Sequence, residues 1–296
     1  MKRKLNITDL LSWPLRLIVS LIALIPLRVL YLLSDFVYFL LYRIIRYRRN
    51  VILSNLRNSF PDKGEEELES IAKSFYRHIS HLFVEVPKLI RIRPEALSRR
   101  ISFAPGAGEL LDNYFQQNKS VLLVLGHFGN WEWAAVGYML QRSHTLVAPY
   151  HPLSNKVFDG LFYNFRIRFG TKVVPMQHFG KFMMQMANQP HAYFMVSDQS
   201  PSPEHAYWVP FLNQDTPVFK GPEKLASKLN MPVVFASVRP VSKGHYEFNV
   251  FPLTDNPKEL PEGELTRMHT RFLEQEIQLN PGAWLWSHRR WKHKRK

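Results

Sequence analysis

The fold reading turns on one stretch: Ser120-Val121-Leu122-Leu123-Val124-Leu125-Gly126-His127-Phe128-Gly129-Asn130-Trp131-Glu132. Val121 to Leu125 is unbroken apolar sequence, which suits a strand buried on both faces rather than one with a solvated side. Similar runs follow at Thr145–Ala148, Lys172–Pro175, Ala192–Val196, Val233–Val238 and Glu247–Phe251. Helical spacing over Trp131–Leu140, Asn155–Phe169, Phe179–Asn188 and Gly221–Leu229 separates several of them. Alternating strand and helix predicts an α/β domain with a mostly parallel central sheet flanked by helices. Ligands of such sheets bind at the carboxyl ends of strands, so candidate chemistry is sought there first.

Upstream, Val51–Phe60 reads as a short helix ending at Pro61, and Glu65, Glu66 and Glu67 suit the first turn of the next. Leu68, Ile71, Phe75, Ile79, Leu82, Phe83 and Val86 keep helical period to about Leu89. Residues 10–45 are dense in apolar side chains but carry Arg16, Arg28, Asp35, Pro14 and Pro26. Their longest uncharged stretch, Leu17 to Leu27, has eleven residues, short of the roughly 20 a spanning helix needs. Three readings stay open: two helices lying in one leaflet, a single tilted span that tolerates Arg28, or an ordinary buried hairpin. The first predicts a membrane-associated helical segment over 1–48 ahead of an α/β domain over 49–296. It puts Trp13, Tyr31, Tyr38 and Tyr42 at headgroup level, with Arg43, Arg46, Arg48 and Arg49 marking a cytoplasmic, anionic surface.

Charge is unevenly placed. Of 39 Lys and Arg against 24 acids, residues 1–57 hold ten basic and two acidic, and residues 288–296 hold six basic and none acidic. The 230 residues between are almost neutral, at 23 against 22. A nucleic-acid binder concentrates basic residues on its folded domain; basic ends beside apolar sequence suit anionic membrane lipid. The competing reading of the C-terminal cluster is a solvated tail. The absence of cysteine excludes disulfides, Cys-ligated zinc, Fe–S clusters and a thiol nucleophile. The twelve histidines are scattered, without a metal-ligand pattern, and no nucleotide fingerprint occurs, so no cofactor or metal is expected.

At the end of the first strand, glycines flank His127 and permit a tight turn with close ligand approach. Glu132, in the first turn of the following helix, is placed to hold one imidazole nitrogen and leave the other as a base. No Ser elbow accompanies the pair. The expected chemistry is therefore deprotonation of a substrate hydroxyl by a His127–Glu132 dyad. The alternative is a histidine that only stabilises the turn.

The segment Gly126-His127-Phe128-Gly129-Asn130-Trp131-Glu132 resembles the His-x4-acid motif of glycerolipid and lipid A acyltransferases. Further matches point to the bacterial lipid A biosynthesis acyltransferase family: Arg49, Val51, Asn55-Leu56, Phe60-Pro61, Asp198-Gln199, Val209-Pro210-Phe211, Gly221, Leu225-Ala226, Pro232-Val233-Val234, and Trp284 through Trp291. Leu212-Asn213, Lys220 and Ala283 depart from that pattern. The resemblance implies acyl transfer from a thioester, acyl carrier protein being the usual donor, to a hydroxyl of a membrane glycolipid acceptor. It implies Arg166 or Arg168 as oxyanion stabiliser, with a solvated helix face as the other reading. Asp198 and Gln199 either reach the crevice, binding sugar hydroxyls or fixing Arg168, or form a turn before Pro201. Lys220 is a candidate for an acceptor phosphate. Asn130 either touches substrate or caps the helix that carries Glu132. Phe162, Phe165, Phe169, Phe179, Phe182, Met183, Met184 and Met186 either line an acyl slot or are plain core. Other lipid acceptors, a lipid hydrolase and a non-catalytic membrane-binding protein are the competing functions.

Overall fold

A computed structural model describes residues 17–152, 156–186 and 188–295. Among these residues seven strands form one sheet in the order β1-β9-β8-β2-β5-β3-β4. They are β1 Ile101–Phe103, β2 Val121–Leu125, β3 Thr145–Tyr150, β4 Lys172–Pro175, β5 His191–Val196, β8 Val233–Ser242 and β9 His245–Thr254. Every neighbouring pair is parallel except β8 with β9. The expected α/β class with a mostly parallel central sheet is thus what the chain forms.

Strand β2 shows why the apolar run is unbroken. Leu122 and Val124 enter one core, with helix Glu264–Leu279 and helix Met176–Gln185, while Val121, Leu123 and Leu125 enter the other. That second core holds helices Trp131–Gln141 and Lys156–Ile167 through Trp133, Tyr138, Leu161 and Phe165. Both faces are covered, so no position of β2 meets water. The Phe and Met cluster expected near one slot is divided by the sheet: Phe162, Phe165 and Phe169 pack on one side, Phe179, Phe182 and Met183 on the other.

A separate antiparallel hairpin joins β6 Ala206–Phe211 to β7 Gln214–Phe219. Its turn residues, Leu212 and Asn213, both take positive φ, 49° and 60°, as a two-residue hairpin turn demands. Leu212 is unfavourable there, but its side chain is buried and its amide donates to Glu274 Oε1 at 2.9 Å.

The N-terminal helical segment docks on the domain through one face. Leu30 and Tyr31 of helix Leu27–Phe39 pack on Val84 of helix Glu65–Lys88. Lys88 donates to the carbonyls of Ala23 and Ile25 at 2.7 and 2.6 Å. The outer face leaves Leu17, Ile18, Leu21, Leu24, Val29, Leu32, Phe36 and Phe39 exposed. That exposure is incompatible with an ordinary buried hairpin. Among the described residues, no helix is long and apolar enough to cross a membrane. Two tyrosines expected at headgroup level instead point inward, because carboxylates take their hydroxyls: Tyr31 donates to the buried Glu85 at 2.8 Å and Tyr42 to the half-buried Glu69 at 2.5 Å. Trp13 lies outside the described residues. The arginine cluster is also partly structural, since Arg49 pairs with Glu69 and Arg48 donates to the Ser287 carbonyl.

Candidate active site

Strands β2 and β5 lie side by side with Leu125 opposite Val196. Two residues further on, that register sets His127 beside Asp198. The Asp198 carboxylate accepts three hydrogen bonds: from His127 Nδ1 at 2.5 Å, from the His127 amide at 2.8 Å, and from Trp284 Nε1 at 2.8 Å. Burial pushes the Asp198 carboxyl up, but the charge of His127 and these hydrogen bonds more than offset it and hold it down at about 2. An ionised carboxylate on Nδ1 fixes that nitrogen as the donor and leaves Nε2 as the acceptor. The imidazole is 17% exposed and Asp198 4%, so base and opening face outward while the carboxylate sits behind.

This corrects the expected dyad. Glu132 does not hold His127; it is buried, and its carboxylate grips Arg166 through both Nε and Nη2. The physical reason is direction. Glu132 lies on the first turn of helix Trp131–Gln141 and meets helix Lys156–Ile167, while the neighbouring strand delivers Asp198 to Nδ1. Burial pulls the Arg166 guanidinium down, but the charge and hydrogen bonds of Glu132 hold it above its ordinary value.

The other expected residues separate. Arg168 donates to the Leu89 carbonyl and lies over the Phe169 ring, so Asp198 does not fix it. Gln199 belongs to the site, its amide nitrogen 3.4 Å from His127 Nε2. Lys220 sits at the start of helix Gly221–Leu229 with its ammonium 4.9 Å from the Tyr207 ring centroid. Asn130 is the helix cap: its oxygen accepts from the Trp133 amide at 2.9 Å and its nitrogen donates to Glu85 at 2.7 Å. Gly129 has φ +63°, and a Cβ there would stand 1.8 Å from the Val238 carbonyl oxygen, so only glycine closes this turn.

An apolar cavity of about 280 Å³ is lined by neither His127 nor Asp198 but reaches Asn130, Trp131 and Glu132 of the same segment. Val19, Ile79, Leu82, Phe83, Phe162 and Phe165 line it, with Trp131 and Glu132 at its wall. The Trp131 ring also stands edge-on to His127, centroids 4.9 Å apart, and so links the imidazole to the cavity. Of the residues first grouped as a slot, only Phe162 and Phe165 line this one. Among the described residues, no cluster of His, Asp and Glu could hold a metal ion.

Sequence reasoning missed Trp284 as a ligand of Asp198, and it missed Arg290. Arg290 is 1% exposed, and its Nε and Nη1 have no partner among the protein atoms described. Burial pulls its guanidinium down to about 10, opposed by the charge of Asp198. An arginine pair, Arg289-Arg290, among Trp284, Trp286 and Trp291 was the available signal.

A family model for the bacterial lipid A biosynthesis acyltransferases matches residues 2–293. The chain is 24% identical over 169 residues to a lipid A biosynthesis myristoyltransferase of Escherichia coli (strain K12), covering 57% of this chain and 51% of that protein. Lipid A biosynthesis acyltransferases 1 and 2 of Shigella flexneri match over the same length at the same identity, with 51% and 53% of those proteins covered. The chain spans about half the length of the curated relatives it matches.

Proposed function

The chain belongs to the bacterial lipid A biosynthesis acyltransferase family, and from that premise we propose that it moves a fatty acyl chain from an acyl thioester to a hydroxyl of a membrane glycolipid. The observation that carries this reading is the His127–Asp198 pair at 2.5 Å, joined through the Trp131 ring to an apolar cavity. His127 Nε2 takes the hydroxyl proton as the oxygen attacks the thioester carbonyl. The C–O bond forms, the C–S bond breaks, and the thiolate leaves with the proton that His127 returns. Asp198 stabilises the imidazolium formed in between and stays ionised throughout.

Charge that develops on the carbonyl oxygen needs a fixed donor. Arg166 takes that role in this reading, anchored by Glu132 at the cavity wall. Glu132 thereby acts through Arg166 and not through the base. The apolar cavity receives the acyl chain, in keeping with its lining of Phe, Leu and Val. The acceptor is a lipid A precursor and the donor is acyl carrier protein, which the basic ends attract by charge.

The exposed apolar face of residues 17–39 supports a peripheral or monotopic seat on the inner membrane, with the site facing the cytoplasm. Phe83, 56% exposed, lines the cavity together with Val19 of that segment. The test is transfer of a labelled acyl group from acyl carrier protein or coenzyme A to a tetra-acylated lipid A precursor, with phospholipid acceptors in parallel. Label on the lipid A precursor supports the reading; label on phospholipid only, or release as free fatty acid only, overturns it.

A further inference from the structure

Helix Glu65–Lys88 has an apolar cavity on one side and a basic one on the other. Ile79, Leu82, Phe83 and Val86 face the first. Ser74, Arg77, His78 and His81 face the second, at the three- and four-residue spacing of one helical face. The opposite wall is the turn between β8 and β9, with Ser242, Lys243 and Gly244, and Asn280 closes one end. This second cavity measures about 240 Å³.

Its charge balance favours an anion. Arg77 makes no ion pair among the described residues and lies over the Tyr38 ring at 5.4 Å. Lys243 has one carboxylate nearby, Asp35 at 3.8 Å, and Asp35 is 61% exposed, so the pairing is weak. Arg100 reaches the floor of the turn, donating to the Gly244 carbonyl at 3.0 Å. Glu85 lies beneath, its carboxylate closed off by Tyr31, Tyr246 and Asn130. Burial pushes His78 and His81 down to about 4, so the positive charge of the cavity belongs to Arg77 and Lys243. Ser74, Ser242 and Asn280 add neutral polar groups. Two cations with several donors around a small volume suit a group with three or more acceptor oxygens.

Position identifies the source. Tyr31, Asp35 and Tyr38 at the rim belong to helix Leu27–Phe39, whose outer face exposes Leu32 and Phe36. When that face lies in a leaflet, the cavity stands at headgroup depth. Two of its lining residues lead to the catalytic loop: His78 Nε2 donates to the Gly129 carbonyl at 3.1 Å, and Ala283 precedes Trp284, which holds Asp198. We propose that the Arg77–Lys243 cavity binds the phosphate monoester of a membrane lipid headgroup and so seats that lipid beside His127. The proposal rests on the membrane-facing seat of residues 17–39 and needs no acyl transfer.

The test is binding of the full chain to phosphatidylcholine vesicles containing either phosphatidic acid, a monoester, or phosphatidylglycerol, a diester, at equal mole fraction. Arg77 and Lys243 are surface-exposed, so Arg77→Gln/Lys243→Gln keeps the fold, which thermal melting checks. The double variant is expected to lose about tenfold in affinity for phosphatidic acid vesicles, about 1.4 kcal/mol, and less than about twofold for phosphatidylglycerol vesicles. Equal losses on both vesicles, or no loss on either, overturn the proposal. Inorganic phosphate is the third probe, followed by phosphorus NMR. If the variant weakens its binding but leaves both vesicle affinities unchanged, the source is free phosphate and the lipid assignment fails. A parent protein that does not distinguish the two vesicles but does transfer the acyl group would sink this site alone; absent transfer by a parent that does distinguish them would sink the enzymatic reading alone.

Discussion

Replacing Asp198 by Asn keeps the side chain's size and removes its charge. The amide oxygen can still accept from the His127 amide and Trp284 Nε1, which now donate at 2.8 Å each. The amide nitrogen then faces His127 Nδ1. Because it only donates, Nδ1 must give up its proton and Nε2 must carry it, so the base is lost without moving an atom. Loss of an orienting carboxylate in this way costs about 10⁴ in turnover in serine proteases, and a loss of that order is expected here. Stability changes too. The Asp198 carboxyl is held at about 2 against an ordinary 3.8, which corresponds to about 2 kcal/mol. Since the folded value is the lower one, that contribution is full above pH 3.8 and disappears as pH falls through about 2. Urea unfolding should therefore show the variant weaker by about 2 kcal/mol at neutral pH, with the gap closing in acid. Acyl transfer measured under the same conditions gives the rate. A folded Asp198→Asn protein that transfers within about tenfold of the parent would refute the reasoning, because the wrong tautomer could not do so.

Gly129→Ala should lower stability by about 3 kcal/mol or more, read as a fall in melting temperature, because the new Cβ meets the Val238 carbonyl oxygen at 1.8 Å and φ is +63°. Glu132→Gln strands Arg166, and a loss of about 2–3 kcal/mol is expected, below the value for a fully buried pair because Arg166 is 28% exposed. Unfolding curves of Glu132→Gln/Arg166→Met should recover most of that loss; no recovery would show that Glu132 acts elsewhere. Burial pushes His269 down to about 4 from 6.5. Its folded value is the lower one, so the neutral ring's contribution is full above pH 6.5 and falls away toward pH 4, at up to about 1.4 kcal/mol per pH unit. His269→Leu should flatten the stability–pH curve in that window by one proton.

The unbroken run at Val121–Leu125 and its counterparts made the sheet legible, because a strand covered on both faces cannot alternate. The acidic first turn at Glu65, Glu66 and Glu67 similarly marked its helix. The hairpin of β6 and β7 was not legible: Pro210 and Pro217 sit inside its strands, where proline argues against pairing. Strand β1 has only three residues. Helix Glu264–Leu279 mixes buried Leu265, Leu273 and Ile277 with buried Thr266, His269, Thr270 and Glu276, which blurs its apolar stripe.

Half of the site was legible for the same reason. A histidine between glycines at a strand end stands out locally. Its carboxylate does not, since Asp198 is 71 residues away and reaches His127 only because β5 pairs with β2. Glu132 was nearer in sequence and of the right chemistry, but helix geometry turns it toward Arg166. Knowledge of the strand order alone would have exchanged one for the other.

The most direct measurement of the central claim is single-turnover acyl transfer from acyl carrier protein to a tetra-acylated lipid A precursor by the parent and by folded His127→Gln. The account predicts transfer by the parent and a loss of about 10³-fold or more in the variant. Equal transfer by both would contradict it.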